Sequence, residues 1–301
     1  MLILYVLNCV GDGILDVPRK VGIKMSNISI IGGDNRNVEL AKLFINEGAN
    51  VKVYGLNDQV LKNEKSLEEA TKDSDVVVLG IPALKDKEVL KADTPISTTY
   101  FLNCINEDQI VFGGVIKDKL LTGMQKKGVR YFDFMQSEEF AILNTIPTVE
   151  GAIEIAIKET DITLHGANIL ILGFGRIGKL LAKTLKGFEC KIELAARKEE
   201  DFAWIDTYGY KKITYDNLDE KLADYDIIFN TVPALLLDER RLQKINKECL
   251  IIDLASMPGG IDFDKAKELG IKTNWALGLP GKVAPKTAAK YMKRIIKKTN
   301  S

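Results

Sequence analysis

The sequence predicts an α/β protein made of two Rossmann-like, doubly wound parallel-sheet domains joined by an interdomain helix. From Ile28 onwards, apolar runs rich in β-branched residues alternate with amphipathic stretches of helical length. The two halves share one pattern, since "SDVVVLGIPA" in the first half parallels "YDIIFNTVPA" in the second. A chain of 301 residues also exceeds what a single hydrophobic core usually organises.

The order of these elements sets the predicted domain boundaries. We expect strands at 28–31, 50–54, 75–79, 109–112 and 129–134 in the first half, and at 168–172, 190–195, 212–215, 226–232, 249–254 and 272–276 in the second. Residues 25–146 then form a substrate domain and residues 147–301 a nucleotide domain. The second domain includes a linker helix at 147–165, with Pro147 near its start, and a C-terminal helix at 284–301.

The apolar N-terminal residues 1–24 leave two interpretations open. They form either an edge strand packed on the first domain or an extension upstream of a natural start at Met25. The apolar run is interrupted at Asn8 and Gly11 and lacks a basic leading segment, so it makes a poor signal peptide and is too short to span a bilayer.

Composition excludes several classes of function. Lys+Arg and Asp+Glu both number 42, so no overall charge draws the chain to nucleic acid or to an acidic membrane. The four cysteines form no CxxC pair, which favours a reducing cytoplasm, and the only histidine is His165, so no metal site is indicated. We expect a small ligand, and the oligomeric state stays open, a homo-oligomer included.

A glycine motif of the second half predicts a dinucleotide site. It consists of Gly173, Phe174, Gly175, Arg176, Ile177 and Gly178, and it follows an apolar strand and opens a helix. That context places the pyrophosphate of a dinucleotide at the helix N-terminus. In the first half the matching turn has Asp34 in place of Gly175, which puts a carboxylate where a phosphate would lie.

Residues after the next strands predict the rest of the cofactor site. Arg197 and Lys198 follow the second strand of the nucleotide domain, where NAD-binding chains usually present an acid to the ribose, so NADP is favoured over NAD. Glu193 on the same strand argues for NAD if it faces the ribose. The turn after the fourth strand is expected to border the nicotinamide ribose, through Asn230, Thr231, Val232 and Pro233.

Two constrained loops follow the last two strands and are expected to open on the same side as the glycine motif. Their predicted substrate-binding residues are Ser256, Pro258, Gly259, Gly260, Pro280, Gly281 and Lys282. Lys282 is the cation in the second loop and is the candidate catalytic residue, and an exposed surface lysine is the alternative. Arg36 is the candidate for a second carboxylate contact, against a solvated helix residue.

The motifs "IGGDNR", "NTIPTVEGAI", "ILGFGRIGKLLAKTL", "ASMPGGIDF" and "ALGLPGKVAPKTAA" resemble those of the dipicolinate synthase A-subunit family of spore-forming bacteria. The resemblance runs from about Met25 to the C-terminus. It implies pyridine-nucleotide-linked oxidation of a dihydrodipicolinate, a small dicarboxylate branching from lysine biosynthesis, in the mother cell during sporulation. It also implies that the partner is the flavoprotein-like B subunit of dipicolinate synthase.

Three alternatives remain. A D-2-hydroxyacid dehydrogenase shares the two-domain plan, but its expected histidine after the last strands is missing here. A shikimate-type dehydrogenase needs a Lys and Asp pair in the first domain. A non-catalytic dinucleotide-binding protein would bind cofactor without turnover.

Overall fold

The structure is a computed structural model that describes residues 26–299. These residues form two compact units. Unit 1 contains residues 26–140 and 289–299, and unit 2 is Ala141–Ala288. The predicted extension at 1–24 and the start at Met25 lie outside the described residues.

Unit 1 is a five-stranded parallel sheet with crossover helices, and its strand order is β2-β1-β3-β4-β5. Its strands and helices are β1 Asn27–Ile31, α1 Asn35–Ile45, β2 Asn50–Tyr54, α2 Leu67–Thr71, β3 Val76–Val78, α3 Thr98–Cys104, β4 Ile110–Gly113, α4 Asp118–Lys126 and β5 Arg130–Asp133. The central strand β3 is Val-Val-Val and is buried on both faces, as expected for a parallel sheet between two helical layers.

Unit 2 is a six-stranded parallel sheet with strand order β11-β10-β9-β6-β7-β8. Its elements are α5 Glu138–Glu159, β6 Asn168–Leu172, α6 Arg176–Lys186, β7 Lys191–Ala196, α7 Glu199–Thr207, β8 Lys211–Thr214, β9 Ile227–Asn230, α8 Glu239–Leu242, β10 Leu250–Asp253, α9 Phe263–Glu268, β11 Lys272–Trp275 and α10 Leu279–Val283, and α11 Pro285–Thr299 follows. All the predicted strands are present, and the predicted fold class is confirmed.

The register of unit 2 brings its loops to one edge of the sheet. Leu172, the last residue of β6, pairs with Ala195 of β7 on one side and with Asn230 of β9 on the other. The turns after these strands therefore begin at the same level. Because the strand order reverses between β6 and β9, this edge is the topological switch point, where ligands of open α/β sheets bind.

Helix α5 corrects the predicted boundary between the two domains. It begins at Glu138 rather than near Pro147, and Pro147 lies inside it. The unit boundary falls at Phe140 and Ala141 instead of 146 and 147. A proline inside a helix removes one backbone N–H, but the apolar run on both sides carries the helix through it.

The length and apolar composition of α5 alone are sufficient to span a membrane. However, half of its most apolar window is buried inside the protein. Val149, Ala152, Ile153 and Ala156 pack into the hydrophobic core of unit 2. We interpret α5 as a core helix.

The C-terminal helix was predicted to belong to the nucleotide domain, and the structure corrects this. From Ala289 onwards α11 belongs to unit 1. Its apolar face, Ala289, Met292, Ile295 and Ile296, is buried in the same core as Ile28 of β1. Burial of this face against β1, α1 and β5 side chains decides the assignment.

Candidate dinucleotide site

The turn between β6 and α6 has two glycines that the fold itself requires. Gly173 has a φ of +98°, a left-handed conformation that disfavours side chains, and a Cβ there would lie 2.5 Å from Thr231 Oγ1. A Cβ on Gly178 would lie 2.2 Å from the carbonyl oxygen of Gly173. These two glycines let the turn close tightly on itself and against the turn after β9.

Gly175, between them, has no such structural reason to be glycine. Its φ is −77°, which any residue adopts, and a Cβ there would meet no heavy atom within 4 Å. Gly175 is also the N-cap of α6, whose first turn has no side-chain cap and no acidic residue. The backbone N–H groups and the positive helix end are thus left for an anion, so the turn fits a pyrophosphate.

The side chains of the turn contribute in a different way. Phe174 is 4% exposed and packs in the core of unit 2, with the Lys179 ammonium 5.2 Å from its ring centre. Ile177 is half-buried against the same core, and Arg176 is exposed at the first position of α6. Contact between a dinucleotide and the turn therefore rests on the backbone rather than on Phe174 or Ile177.

The end of β7 presents cations and no carboxylate. Arg197 and Lys198 follow its last residue and are both exposed, and Lys198 Nζ forms an ion pair with Glu200 at 3.5 Å. Arg197 also acts on the phenol of Tyr215, because burial raises the pKa of Tyr215 and the positive charge of Arg197 opposes that rise. Arg197 is the cation best placed for a 2'-phosphate.

Glu193, which argued for NAD, faces the interior instead. It is 8% exposed, and its two carboxylate oxygens accept hydrogen bonds from Lys221 Nζ and Tyr225 Oη, both at 2.9 Å. Burial and the neighbouring carboxylate raise the pKa of Tyr225. Because both oxygens have partners within the protein, Glu193 is not free to bind a ribose.

The predicted contact of Asn230 with the cofactor is not what the structure shows. Asn230 is fully buried, and its Nδ2 donates to Val232 O at 3.0 Å and to Asp253 Oδ1 at 2.8 Å. Its Oδ1 accepts from the Val232 amide. Asn230 therefore holds the turn after β9 together, since its polar atoms are used inside the fold.

Asp253 connects this turn to the loop after β10. Its carboxylate is also fully buried and accepts from the amides of Ala255 at 2.9 Å and Gly260 at 2.8 Å. Gly260 must be glycine, because a Cβ there would overlap Asn230 Nδ2 and lie 2.7 Å from Val232 O. Gly259 has a φ of +82° and also packs against the Asp253 carboxylate. Both glycines therefore shape the loop.

The surface of this edge comes from the remaining predicted residues. The Thr231 hydroxyl donates to Leu172 O at 2.9 Å, and Val232 is half-buried beside Gly173. Pro233, Ser256 and Pro258 are exposed. These side chains, rather than Asn230, are the ones accessible to a ligand at the nicotinamide end, and their contacts stay a prediction.

The loop predicted to hold Lys282 contains the short helix α10. Pro280 and Gly281 are buried within it, and Lys282 is exposed. Lys282 lines a concavity of about 460 Å³ together with residues of α5, β11 and α10, namely Gly151, Glu154, Ile155, Lys158, Glu159, Asn274, Ala276, Leu279 and Val283. None of these lining residues belongs to the glycine turn, and the catalytic role of Lys282 stays a prediction.

Arg36 differs most from its predicted role. It is 2% exposed, and its Nε and Nη2 donate to the two carboxylate oxygens of Asp34 at 2.9 and 2.7 Å. Nη2 also donates to the carbonyl of Ile81. The side chain turns back over the start of α1, because Asp34 caps that helix and attracts it, so Arg36 is not an exposed ligand for a substrate.

The turn of unit 1 is also covered by its own chain. The amide of Gly33 donates to Lys91 O at 2.6 Å, and a Cβ on Gly32 would lie 2.5 Å from Ala92 Cβ. Lys91 Nζ lies 2.7 Å from Asp34 Oδ2. Sequence reasoning missed Lys91 and Asp253. The acid at the end of β10 was a detectable signal for Asp253, whereas nothing local pointed to Lys91.

Comparison with known proteins decides the family. The family model for the N-terminal domain of the dipicolinate synthase A subunit matches residues 27–135. The A subunit of dipicolinate synthase from Bacillus subtilis (strain 168) is 32% identical over 291 residues, which cover 90% of this chain and 94% of that protein. This chain belongs to the dipicolinate synthase A-subunit family.

Solved structures of the dipicolinate synthase A subunit have the same fold. The crystal structure from Bacillus halodurans has a TM-score of 0.81 at 30% identity and covers 93% of this chain and 99% of that one. The corresponding crystal structure from Bacillus subtilis has a TM-score of 0.78 at 30% identity, covering 92% and 96% of the two chains.

The second half also matches a dehydrogenase family model. The NAD-binding domain of D-isomer-specific 2-hydroxyacid dehydrogenases matches residues 149–257, which include the glycine turn and the end of β7. The nicotinamide-dinucleotide site predicted from the sequence is therefore supported at the level of the domain. This member of the dipicolinate synthase A-subunit family is a dinucleotide-dependent protein of the oxidoreductase type.

Proposed function

We propose that the chain oxidises a dihydrodipicolinate to dipicolinate with NADP, as the A subunit of a dipicolinate synthase. The observation that carries this proposal is the similarity to a dipicolinate synthase A subunit over 90% of the chain. The open N-terminus of α6 and the cation Arg197 support the cofactor assignment.

The chemistry asks little acid or base catalysis of the protein. The dihydropyridine ring loses a hydride and a proton, and the aromaticity of the product favours the reaction. Bound NADP supplies the hydride acceptor. The residues of the chain have to hold the dinucleotide through the backbone of Gly173 to Gly178, exclude water and fix a dianion in place.

The cellular setting is part of the same proposal. We place the reaction in the cytoplasm of the mother cell during sporulation, on a branch from lysine biosynthesis. A flavoprotein-like B subunit is the proposed partner for full activity. The support for both is the name of the relatives, which implies both a product and a second type of subunit.

One observation bears on the alternatives. The only histidine, His165, lies before β6 and is exposed, with Nδ1 3.5 Å from Glu189 Oε2, so it does not provide the histidine of a D-2-hydroxyacid dehydrogenase. A shikimate-type dehydrogenase would need a Lys and Asp pair, and Lys91 and Asp34 form one in unit 1 at 2.7 Å. Oxidation of a hydroxy acid is therefore the second candidate function.

The test is a coupled assay with the purified full chain. Aspartate semialdehyde, pyruvate and the dihydrodipicolinate-forming synthase supply the substrate, with NADP or NAD and with or without the flavoprotein-like partner. We expect NADPH and dipicolinate to appear together and at equal rates. Reduction of the cofactor by shikimate or by D-2-hydroxy acids alone would favour the second candidate. Cofactor binding without turnover in every mixture would indicate a non-catalytic protein.

A further inference from the structure

The start of α1 in unit 1 carries a cluster of three charged residues, Asp34, Arg36 and Lys91. The Asp34 carboxylate caps the helix by accepting from the Arg36 amide at 3.1 Å, and Asp34 and Asn37 complete a capping box. Arg36 then pairs with both carboxylate oxygens, and Lys91 Nζ reaches one of them at 2.7 Å.

The charges in this cluster do not balance. Arg36 alone neutralises the Asp34 carboxylate, and the N-terminal end of the eleven-residue helix α1 adds further positive potential. Lys91 brings a second full positive charge to the same carboxylate. An excess of positive charge at a partly desolvated place raises the energy of the fold unless an anion comes to it.

The two cations differ in their access to solvent. The Arg36 side chain is 2% exposed, whereas that of Lys91 is 29% exposed. Lys91 Nζ is also 3.4 Å from the Ile81 carbonyl, so it is held from two sides. Of the two, Lys91 is the cation that an incoming anion can reach.

The backbone around Lys91 is fixed. Its amide donates to Ala83 O at 2.9 Å, and its carbonyl accepts from the amide of Gly33 at 2.6 Å. An isolated bridge between Leu84 and Leu90 closes the segment that leads to it. A side chain anchored in this way presents its ammonium with little loss of conformational freedom on binding.

The same contacts limit the size of the anion. Lys91 and Ala92 occupy the space over Gly32 and Gly33, so a pyrophosphate has no approach to this turn, unlike the open turn at Gly175. A planar carboxylate needs only one or two donors from the cluster.

We propose that Lys91, positioned by Asp34 and Arg36, binds one carboxylate of the pyridine dicarboxylate substrate. This inference rests on the proposed function and adds a substrate contact to it. Arg36 acts as a positioning residue that fixes Asp34, and Asp34 in turn fixes Lys91.

The test compares Lys91→Met with Lys91→Arg in the full chain, with Lys87→Met as the matched control. Lys87 is an exposed lysine of the same segment. Binding of dipicolinate is measured by calorimetry in saturating NADP, and KM and kcat are measured in the coupled assay. Thermal unfolding of each variant reports whether it folds.

We expect Lys91→Met to weaken dipicolinate binding and to raise KM by about 10- to 100-fold, with kcat within about threefold of wild type. Lys91→Arg keeps the charge and should recover most of the affinity. Lys87→Met should bind as the wild-type chain does.

Three results would overturn the inference. These are unchanged dipicolinate binding in Lys91→Met, an equal loss in Lys87→Met, or a fall in kcat at constant KM in both Lys91 variants, which would indicate proton transfer. Equally strong competition by inorganic phosphate would make the cluster a phosphate site. A wild-type chain that binds NADP but neither binds nor forms dipicolinate contradicts the proposed function, whereas a wild-type chain that does both, with Lys91→Met unchanged, contradicts Lys91 alone.

Discussion

Gly175 and Gly178 provide a test that separates what the turn needs from what the cofactor needs. In Gly178→Ala, the new Cβ starts 2.2 Å from the Gly173 carbonyl oxygen, and contacts of real Cβ atoms under 3.0 Å are essentially never seen. The turn must open by roughly 1 Å, at a cost of about 1–3 kcal/mol. For a unit of this size that lowers Tm by roughly 3–10 °C.

In Gly175→Ala the fold has room for the new methyl group, because nothing lies within 4 Å of it. Loss of a glycine N-cap destabilises the helix slightly, and lower entropy of the unfolded chain offsets this, so Tm should change by less than about 3 °C. The methyl group points into the space that a pyrophosphate needs. We expect the dissociation constants of NADP and NADPH to rise by about 10- to 100-fold, or ~1.4–2.7 kcal/mol.

Calorimetry with NADP and NADPH, together with thermal unfolding followed by circular dichroism, measures both quantities on the same samples. Gly178→Ala should lose stability and affinity together, and Gly175→Ala should lose affinity alone. If Gly175→Ala binds both cofactors as tightly as the wild-type chain, the pyrophosphate does not approach this turn, and the assignment of the site is wrong.

Three further predictions concern the other charged residues. Arg197→Ser should weaken NADP binding by about 10- to 100-fold and leave NAD binding within about threefold, with Lys183→Ser as an exposed control, and equal losses for both cofactors would contradict a 2'-phosphate contact. Asp253→Asn places an amide N–H against the Gly260 amide and should cost about 2–4 kcal/mol in thermal unfolding, unless the loop relaxes and Tm stays at the wild-type value. Burial raises the pKa of Asp34, but the Arg36 hydrogen bond and the Arg36 and Lys91 charges outweigh it and hold that pKa well below its usual range. Its contribution to the free energy of unfolding is thus fully present above the unfolded pKa of about 3.9 and is lost as pH falls, so Asp34→Asn should flatten the acid limb of the stability profile, and an unchanged limb would contradict the ion pair.

The sheet architecture was predictable because it depends on local patterns. Every predicted strand formed, since β-branched apolar runs between helical stretches have few other ways to be buried. The partner of a buried face is a different matter. The apolar face of α11 shows that this helix packs on a core, yet only the three-dimensional structure shows that its Met292 and Ile296 are buried in unit 1.

The site was predictable where backbone conformation sets it and less so where side chains set it. The glycine turn follows from its spacing and from the strand before it. Asn230 and Arg36 were expected to face ligands because polar residues at strand and helix ends often do. Their actual partners, Asp253 at 23 residues' distance and the neighbouring Asp34, satisfy them inside the fold. A single sequence does not reveal which polar groups pair with each other.

The two turns show how one supersecondary unit supports two kinds of site. In unit 2 the helix N-terminus after the strand has no cap and faces open space at Gly175. In unit 1 the corresponding N-terminus is capped by Asp34, and Lys91 and Ala92 cover its glycines. These are independent obstacles, because removing the Asp34 carboxylate would leave the covering segment in place. Unit 1 therefore differs from a dinucleotide domain by more than one substitution, and the positive charge left at its turn is suited to a smaller anion.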